Sequence, residues 1–342
     1  MKIPTTVITG FLGAGKTTLI RHILGNANGR RIALIINEFG DLGIDREMVT
    51  GCGIEGCDDD AVMELANGCI CCTVADDFLP TMEILLERPE PPDHIVIETS
   101  GLALPKPLVK AFNWPEIRSR VTVDGVIAVV DAPAVEEGRF ADNPEAVQSI
   151  RELDEAFDHE SPLEEVFEDQ LLSADLVLLN KCDLLDDFAV ERVRSVVSRE
   201  TDPAAKMIST TQGRVDPKIL LGIGAHVEDV IDGRRSHHDG EDDHDHDDFE
   251  SFVVEIERLD QPHDLTERIK RVSTEHDILR IKGFADVAGK DMRLVVQGVG
   301  PRVQHYFDRP WQADEPRQSR LVVIGETGLD REAIRSAFIT PL

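Results

Sequence analysis

Positive charge is scarce in this chain. It has 36 lysines and arginines against 66 aspartates and glutamates in 342 residues, a formal net charge of −30. Such a balance argues against nonspecific binding to nucleic acid or to an anionic membrane, and it suits a protein that attracts cations. Long apolar runs are also lacking, and none approaches the length needed to span a bilayer. No secretion-type leader is evident, because Lys2 is followed at once by residues that read as structure. No internal repeat is found. What is present is 41% hydrophobic residues, enough to fill ordinary cores, in a length that allows one large and one small domain.

The first informative segment is Gly10-Phe11-Leu12-Gly13-Ala14-Gly15-Lys16-Thr17, a full match to G-x-x-x-x-G-K-[ST]. Its flanks agree. Thr6–Thr9 reads as a short buried strand, and Lys16–Leu24 as a helix with Leu19, Ile20, Ile23 and Leu24 on one face. The glycines let backbone N–H groups turn inward around phosphate oxygens, and the helix N-terminus adds positive potential. Gly10, Gly13, Ala14, Gly15, Lys16, Thr17 and Thr18 are therefore the candidate phosphate-binding residues. Lys16 is expected to reach the β and γ phosphates, and Thr17 to place its hydroxyl on Mg2+.

Leu176–Leu179 is an apolar run that ends in Asn180-Lys181-Cys182-Asp183. This N-K-x-D resembles the guanine-specificity motif of GTPases. Asp183 can accept two hydrogen bonds from the N1 and N2 donors of guanine, whereas adenine would leave its carboxylate desolvated and unpaired. Asn180 is expected to support the loop and the base edge, and Lys181 to pack along the base. Ser209-Thr210-Thr211 is a candidate for the loop on the far side of the base. A further buried strand, His94–Ile97, ends in Glu98-Thr99-Ser100-Gly101. At that position in an open α/β sheet, Glu98 can hold Mg2+ through water, and Gly101 lets the backbone approach the γ-phosphate. After the strand Ile32–Ile36 comes Asn37-Glu38-Phe39-Gly40-Asp41, the interval that supplies the first switch in a phosphate-loop GTPase. Glu38 could orient water, touch Mg2+ or join a set of metal ligands, and an ordinary turn explains the spacing as well.

Cys69-Ile70-Cys71-Cys72 places three thiols in four positions. In an extended segment Cys69 and Cys71 point to one side, while Cys72 points elsewhere unless the chain turns. Thiolates prefer cobalt, zinc, nickel or copper(I) to magnesium or calcium. Two or three sulfurs, with water, a histidine or a carboxylate as fourth ligand, make an incompletely protein-bound site that suits transfer. Buried apolar cysteines or a disulfide are the plainer alternatives, but adjacent Cys71 and Cys72 do not favour an ordinary disulfide. Cys52 and Cys57, separated by four residues, could join the site, form a redox pair or be structural, and Cys182 reads as a packing residue.

The apolar strand candidates Thr6–Thr9, Ile32–Ile36, Ile95–Glu98, Val126–Asp131, Leu176–Leu179 and Lys206–Ile208 alternate with helices. The fold class is therefore α/β, a doubly wound and mostly parallel sheet over residues 1–233. Within it, the acidic stretch Asp142–Asp169 is expected to be a solvated insertion with helical stretches, its carboxylates surface charge rather than ligands. Residues 234–249 are rich in histidine and aspartate, without the apolar content for a core, and read as a linker able to gather metal weakly. Residues 250–342 alternate like half-buried strands at Phe252–Ile256, Ile278–Phe284, Met292–Val296 and Arg320–Ile324, with helices at Leu265–Val272 and Asp330–Phe338. They read as a smaller α+β domain without a catalytic cluster.

Taken together, Gly10–Thr17, Asn37–Gly40, Gly68-Cys69-Ile70-Cys71-Cys72, Glu98–Gly101 and Asn180–Asp183 resemble the CobW-type metal-chaperone GTPases over nearly the whole chain. The resemblance implies hydrolysis of GTP to GDP and phosphate, with Lys16, Glu38 and Glu98 in catalysis. It also implies delivery of a transition metal held by Cys69, Cys71 and Cys72. The stretch Gly51–Cys57 and the acidic insert are most similar to the branch associated with cobalt supply to cobalamin synthesis. This implies Co2+ as cargo and a cobaltochelatase as client, with Zn2+ or nickel as alternatives within the family. A non-catalytic metal buffer built on the His/Asp tract is the rival reading. Cytoplasmic location is expected, where GTP and reduced thiols are found. Analogy with related GTPases allows a nucleotide-dependent homodimer.

Overall fold

The computed structural model describes residues 2–27, 29–36, 62–64, 78–153, 162–221, 249–300, 302–312 and 317–339. Its internal contacts divide between Val215 and Asp216 into two compact units. The expected sites at Glu38, Cys69, Cys71 and Cys72, together with Cys52, Cys57 and residues 234–248 of the linker, lie outside the described residues.

The first unit is built on seven parallel strands in the order β3-β2-β4-β1-β5-β6-β7. These are β1 (Ile3–Thr9), β2 (Ile32–Ile36), β3 (Val62–Glu64), β4 (His94–Glu98), β5 (Val121–Asp131), β6 (Leu176–Asn180) and β7 (Lys206–Ser209). β2, β4, β5 and β6 are buried at every residue, which explains their continuous apolar runs. Val7, Ile35, Ile95 and Ile97 pack with Phe78, Met82, Leu85, Leu108 and Phe112 in one core cluster. These last residues come from α2 (Leu79–Leu86), α3 (Pro105–Ala111) and their flanks. Another cluster joins Ala128, Val130, Val177 and Leu179 to Leu171 and to Val193 and Val197 of α8 (Asp187–Glu200). A sheet covered in this way is the doubly wound arrangement expected from the sequence.

Sequence-adjacent strands diverge around β1, which pairs with β4 on one side and β5 on the other. In such sheets the ligand lies beyond the carboxyl ends of the strands, where the order reverses. Those ends are Thr9, Glu98, Asp131, Asn180 and Ser209.

The acidic stretch, in its described residues, forms the expected helices with exposed carboxylates, but these helices are not wholly solvated. It contains α6 (Pro144–Leu153) and α7 (Leu163–Leu172), which follow α4 (Pro115–Arg118) and α5 (Ala132–Glu136). Val147, Leu163 and Val166 form a buried cluster with Phe11, Leu102 and Ala103. The carboxylates lie on the outer side of α7, where Glu164, Glu165, Glu168 and Asp169 are exposed. Apolar residues at helical spacing override the acidic composition.

The second unit holds the short helix α9 (Pro217–Leu221) and a sheet in the order β11-β10-β9-β12-β8. Its strands are β8 (Phe249–Ile256), β9 (Ile278–Ala285), β10 (Met292–Val299), β11 (Arg302–Pro310) and β12 (Ser319–Glu326), all paired antiparallel. Helices α10 (Pro262–Glu275) and α11 (Arg331–Ile339) contribute Leu265, Ile269, Val272, Ile334 and Phe338 to a core with Val254, Ile281, Leu294 and Val323. Alternate strand residues bear other contacts. Arg293 donates to Asp308 at 2.7 Å, both side chains are buried, and its guanidinium lies 4.2 Å from the centre of the Phe284 ring. The expected α+β domain is present, and no group of three or more metal-ligating side chains occurs among the described residues.

Candidate functional site

The phosphate loop departs from Thr9 at the end of β1. Gly10, Gly13 and Gly15 have φ of 138°, 79° and 106°, all in the left-handed region that glycine tolerates. Two of the three also lie against other groups. A Cβ on Gly10 would lie 2.2 Å from the Val129 carbonyl oxygen, and one on Gly15 2.3 Å from Asn180 Nδ2. The loop feeds α1 (Lys16–Gly25), whose Leu19, Ile20, Ile23 and Leu24 are buried as the sequence predicts. Lys16 Nζ donates to the Gly10 carbonyl at 2.9 Å and to that of Phe11 at 3.4 Å. Its ammonium thus stays over the loop, where phosphate oxygens would replace those carbonyls as acceptors. Ala14 is buried, Thr17 half-buried, and Thr18 exposed in the first turn of α1.

Asn180 links the phosphate loop to the loop after β7. Its Nδ2 donates to the Ala14 carbonyl at 2.9 Å, and its Oδ1 accepts from the Gly213 N–H at 3.0 Å. The side chain is 2% exposed, so both bonds are made away from water, where leaving them unmade costs most. The loop after β7 belongs to the same assembly. Thr210 N–H donates to the Leu179 carbonyl at 2.8 Å, and Cys182 N–H to that of Thr210 at 3.2 Å. Ser209-Thr210-Thr211 therefore stands beside Asn180–Asp183, as expected for a loop that flanks the base.

Lys181 adopts a left-handed backbone with φ 62°, and its ammonium pairs with the carboxylate of Asp131 at the end of β5. Asp131 is 3% exposed and also caps α5 by accepting from Ala134 N–H at 3.2 Å. Asp183 follows in a single 3-10 turn, Cys182–Leu184, with its side chain in solvent. Cys182 donates its S–H to the Leu179 carbonyl at 3.0 Å and packs against a core cluster. Burial pushes its thiol pKa up, which keeps it protonated and poorly suited to bind metal.

Glu98 ends β4, in register with Ile8 of β1 and Ile36 of β2, and is buried at the carboxyl edge of the sheet. Thr99 N–H donates to the Ile8 carbonyl at 2.9 Å, which ties the start of this loop to the strand that carries the phosphate loop. Gly101 lies directly against that loop, since a Cβ there would be 2.8 Å from Leu12 N. The oxygen donors Thr17 and Glu98 are of the hard type that fits Mg2+. When bound, that ion would neutralise charge on the β and γ phosphates.

Asp131, Gln170 and Gly213 were missed by the sequence reading. Only Gly213 left a sequence signal, as the glycine that closes Ser209-Thr210-Thr211-Gln212-Gly213. It has φ 66°, and a Cβ would lie 2.9 Å from Leu19 Cα.

Residues 4–209 match the family model described as the CobW/HypB/UreG nucleotide-binding domain. The chain belongs to the CobW/HypB/UreG family. Residues 249–340 match the cobW C-terminal domain described as that of a cobalamin synthesis protein. Among curated relatives, a Sinorhizobium protein called zinc chaperone CobW is 58% identical over 98% of this chain and 96% of its own. A Pseudomonas aeruginosa protein of the same name is 55% identical over 100% of this chain and 92% of its own. The zinc chaperone YjiA of Escherichia coli is 32% identical over 98% of each chain. With the loops above, this membership makes the chain a P-loop GTPase of the metallochaperone class. Among the described residues no helix is long and apolar enough to cross a membrane.

Proposed function

We propose that this GTPase of the CobW/HypB/UreG family loads Zn2+ in its GTP-bound form and releases it to a metal-dependent client after hydrolysis. The observation that carries the choice of zinc is the similarity, over essentially the whole chain, to two proteins named zinc chaperones. Zinc thereby takes precedence over the cobalt implied by the resemblance to the cobalamin branch. Cobalt remains the second reading, with a cobaltochelatase as client, on the strength of the C-terminal family model.

The chain's own residues have these roles. The amides and Lys16 of the phosphate loop hold the β and γ phosphates. Asp183 reads guanine, while Asn180 and Lys181 shape its pocket. Glu98 presents a carboxylate at the end of β4, and Gly101 brings the backbone to the γ-phosphate. Cys69, Cys71 and Cys72 hold the cargo, and Glu38 orients the attacking water. Loss of the γ-phosphate then alters the loops that follow β2 and β4, and with them the thiolate site. Cargo and nucleotide can be coupled only if the metal binds one nucleotide state more tightly, and linkage then requires that metal tighten GTP binding by the same factor. The protein works in the cytoplasm, and pairing of two copies across bound nucleotide would be compatible with this cycle.

Competition against a chelating dye tests the proposal. Zn2+, Co2+ and nickel affinities are measured with a non-hydrolysable GTP analogue, with GDP and without nucleotide. Raw affinity follows the Irving–Williams order and does not identify the cargo, so the informative quantity is the difference between nucleotide states. Zn2+ should bind at least about tenfold more tightly with the GTP analogue, within the usual range of coupling energies. Equal zinc affinity in both states rejects the coupling, and a difference seen for Co2+ alone makes cobalt the cargo. Cys71→Ala should lose tight zinc binding and keep GTP binding. Retention of full zinc affinity would show that the ligand set is wrong.

A further inference from the structure

Gln170 is 1% exposed near the C-terminal end of α7, a helix to which the nucleotide chemistry above gives no task. Its Nε2 donates to the Gly101 carbonyl at 3.1 Å and to the Ala103 carbonyl at 3.2 Å. Both acceptors are backbone oxygens, so the amide nitrogen must face them. One helical turn earlier, Phe167 meets Phe11 of the phosphate loop edge-on, with ring centres 5.8 Å apart. Gly101 is itself packed against Leu12 of the same loop. One helix therefore grips two loops, the phosphate loop through a ring and the loop after β4 through an amide.

Such an arrangement favours one position of the Gly101 loop. A buried amide is costly unless its donors are used. Any turn of the loop that swings Gly101 and Ala103 away would strip Gln170 Nε2 of both acceptors together. In the function proposed above, this loop meets the terminal phosphate, the group that distinguishes GTP from GDP.

We propose that Gln170 is a positioning residue, a latch that holds Gly101 in the conformation that meets the γ-phosphate and so sets the preference for GTP over GDP. The proposal rests on the reading of Gly101 as the γ-phosphate neighbour.

The test uses the full chain. Hydrogen exchange over residues 98–103 is measured with GMPPNP and with GDP, alongside dissociation constants for both nucleotides. In the unmodified protein, GMPPNP should protect this segment more than GDP does. No difference there would remove the Gly101 reading and the latch with it. Gln170→Met fills the same space without donors. It should bind GMPPNP roughly tenfold more weakly, as expected for two lost hydrogen bonds, with GDP affinity within about twofold. It should also lose the protection. Unchanged discrimination, or equal loss for both nucleotides, would overturn the latch while the Gly101 reading stands. Should Gln170→Met fail to fold, Gln170→Glu replaces it. A buried carboxyl facing carbonyls has a raised pKa and can donate only when protonated. Its GMPPNP preference should therefore approach that of the unmodified protein at pH 6 and fall at pH 8. The same preference at both pH values would overturn the latch.

Discussion

Gly15→Ala should weaken GTP binding by on the order of a hundredfold to ten-thousandfold, read by titration with a fluorescent guanine nucleotide. Two penalties combine. The backbone at Gly15 has φ 106°, where any side chain is strained by about 1–3 kcal/mol. The new Cβ would also lie 2.3 Å from Asn180 Nδ2, and that amide cannot step aside cheaply. It is buried, one end bonded to Ala14 and the other to Gly213. Overpacking at such a place costs about 1–3 kcal/mol more. The phosphate loop and the loop after β7 should therefore be disturbed together. Gly13→Ala is the control, because Gly13 has φ 79° but no atom within 4 Å of its Cβ position. It bears the strain alone and should lose about tenfold to a hundredfold. If Gly15→Ala bound GTP no worse than Gly13→Ala, the tie from Asn180 to the phosphate loop would carry no weight in binding.

That tie also marks how far the sequence could be read. The phosphate loop, the turn Asn180–Asp183 and the buried strands were legible because each is a local pattern. An apolar run bounded by a special turn records a strand covered on both faces, and β2, β4, β5 and β6 follow that rule, whereas β1 begins half-buried and β7 ends exposed. β11 was not legible, because intermediate burial runs along nearly its whole length and leaves no alternation to detect. β3 has only three residues, too few for any period. The acidic stretch misled for another reason. Its helices were legible, but the carboxylates that dominate its composition hid the buried face formed by Val147, Leu163 and Val166. Contacts between distant residues leave no local trace at all. Asn180 reaches Ala14 across 166 positions, and Gln170 reaches Gly101 across 69. The motif indicated that Asn180 should support the site, but only the fold shows that it joins the phosphate loop to the loop after β7.

The base itself gives the second large effect. Asp183→Asn should cost on the order of a hundredfold to ten-thousandfold in GTP affinity, because a site built to pair with specific donors rejects a ligand that leaves them unmatched. A carboxylate accepts from both N1–H and the N2 amino group of guanine. An amide can accept only one of these and turns a donor toward the other. Xanthine has N1–H beside a C2 carbonyl, so the same amide matches it. Xanthosine triphosphate should therefore bind the variant more tightly than GTP does. Asp183 is exposed on its short turn, so the exchange should leave the melting temperature nearly unchanged, and the altered affinity would report base recognition rather than folding. The variant also separates the nucleotide cycle from metal chemistry. Its thiols are intact, so zinc binding without nucleotide should match that of the unmodified protein. Tightening of zinc should require xanthosine triphosphate in place of GTP. If GTP still tightened zinc binding at ordinary concentrations, Asp183 would not be the residue that reads the base.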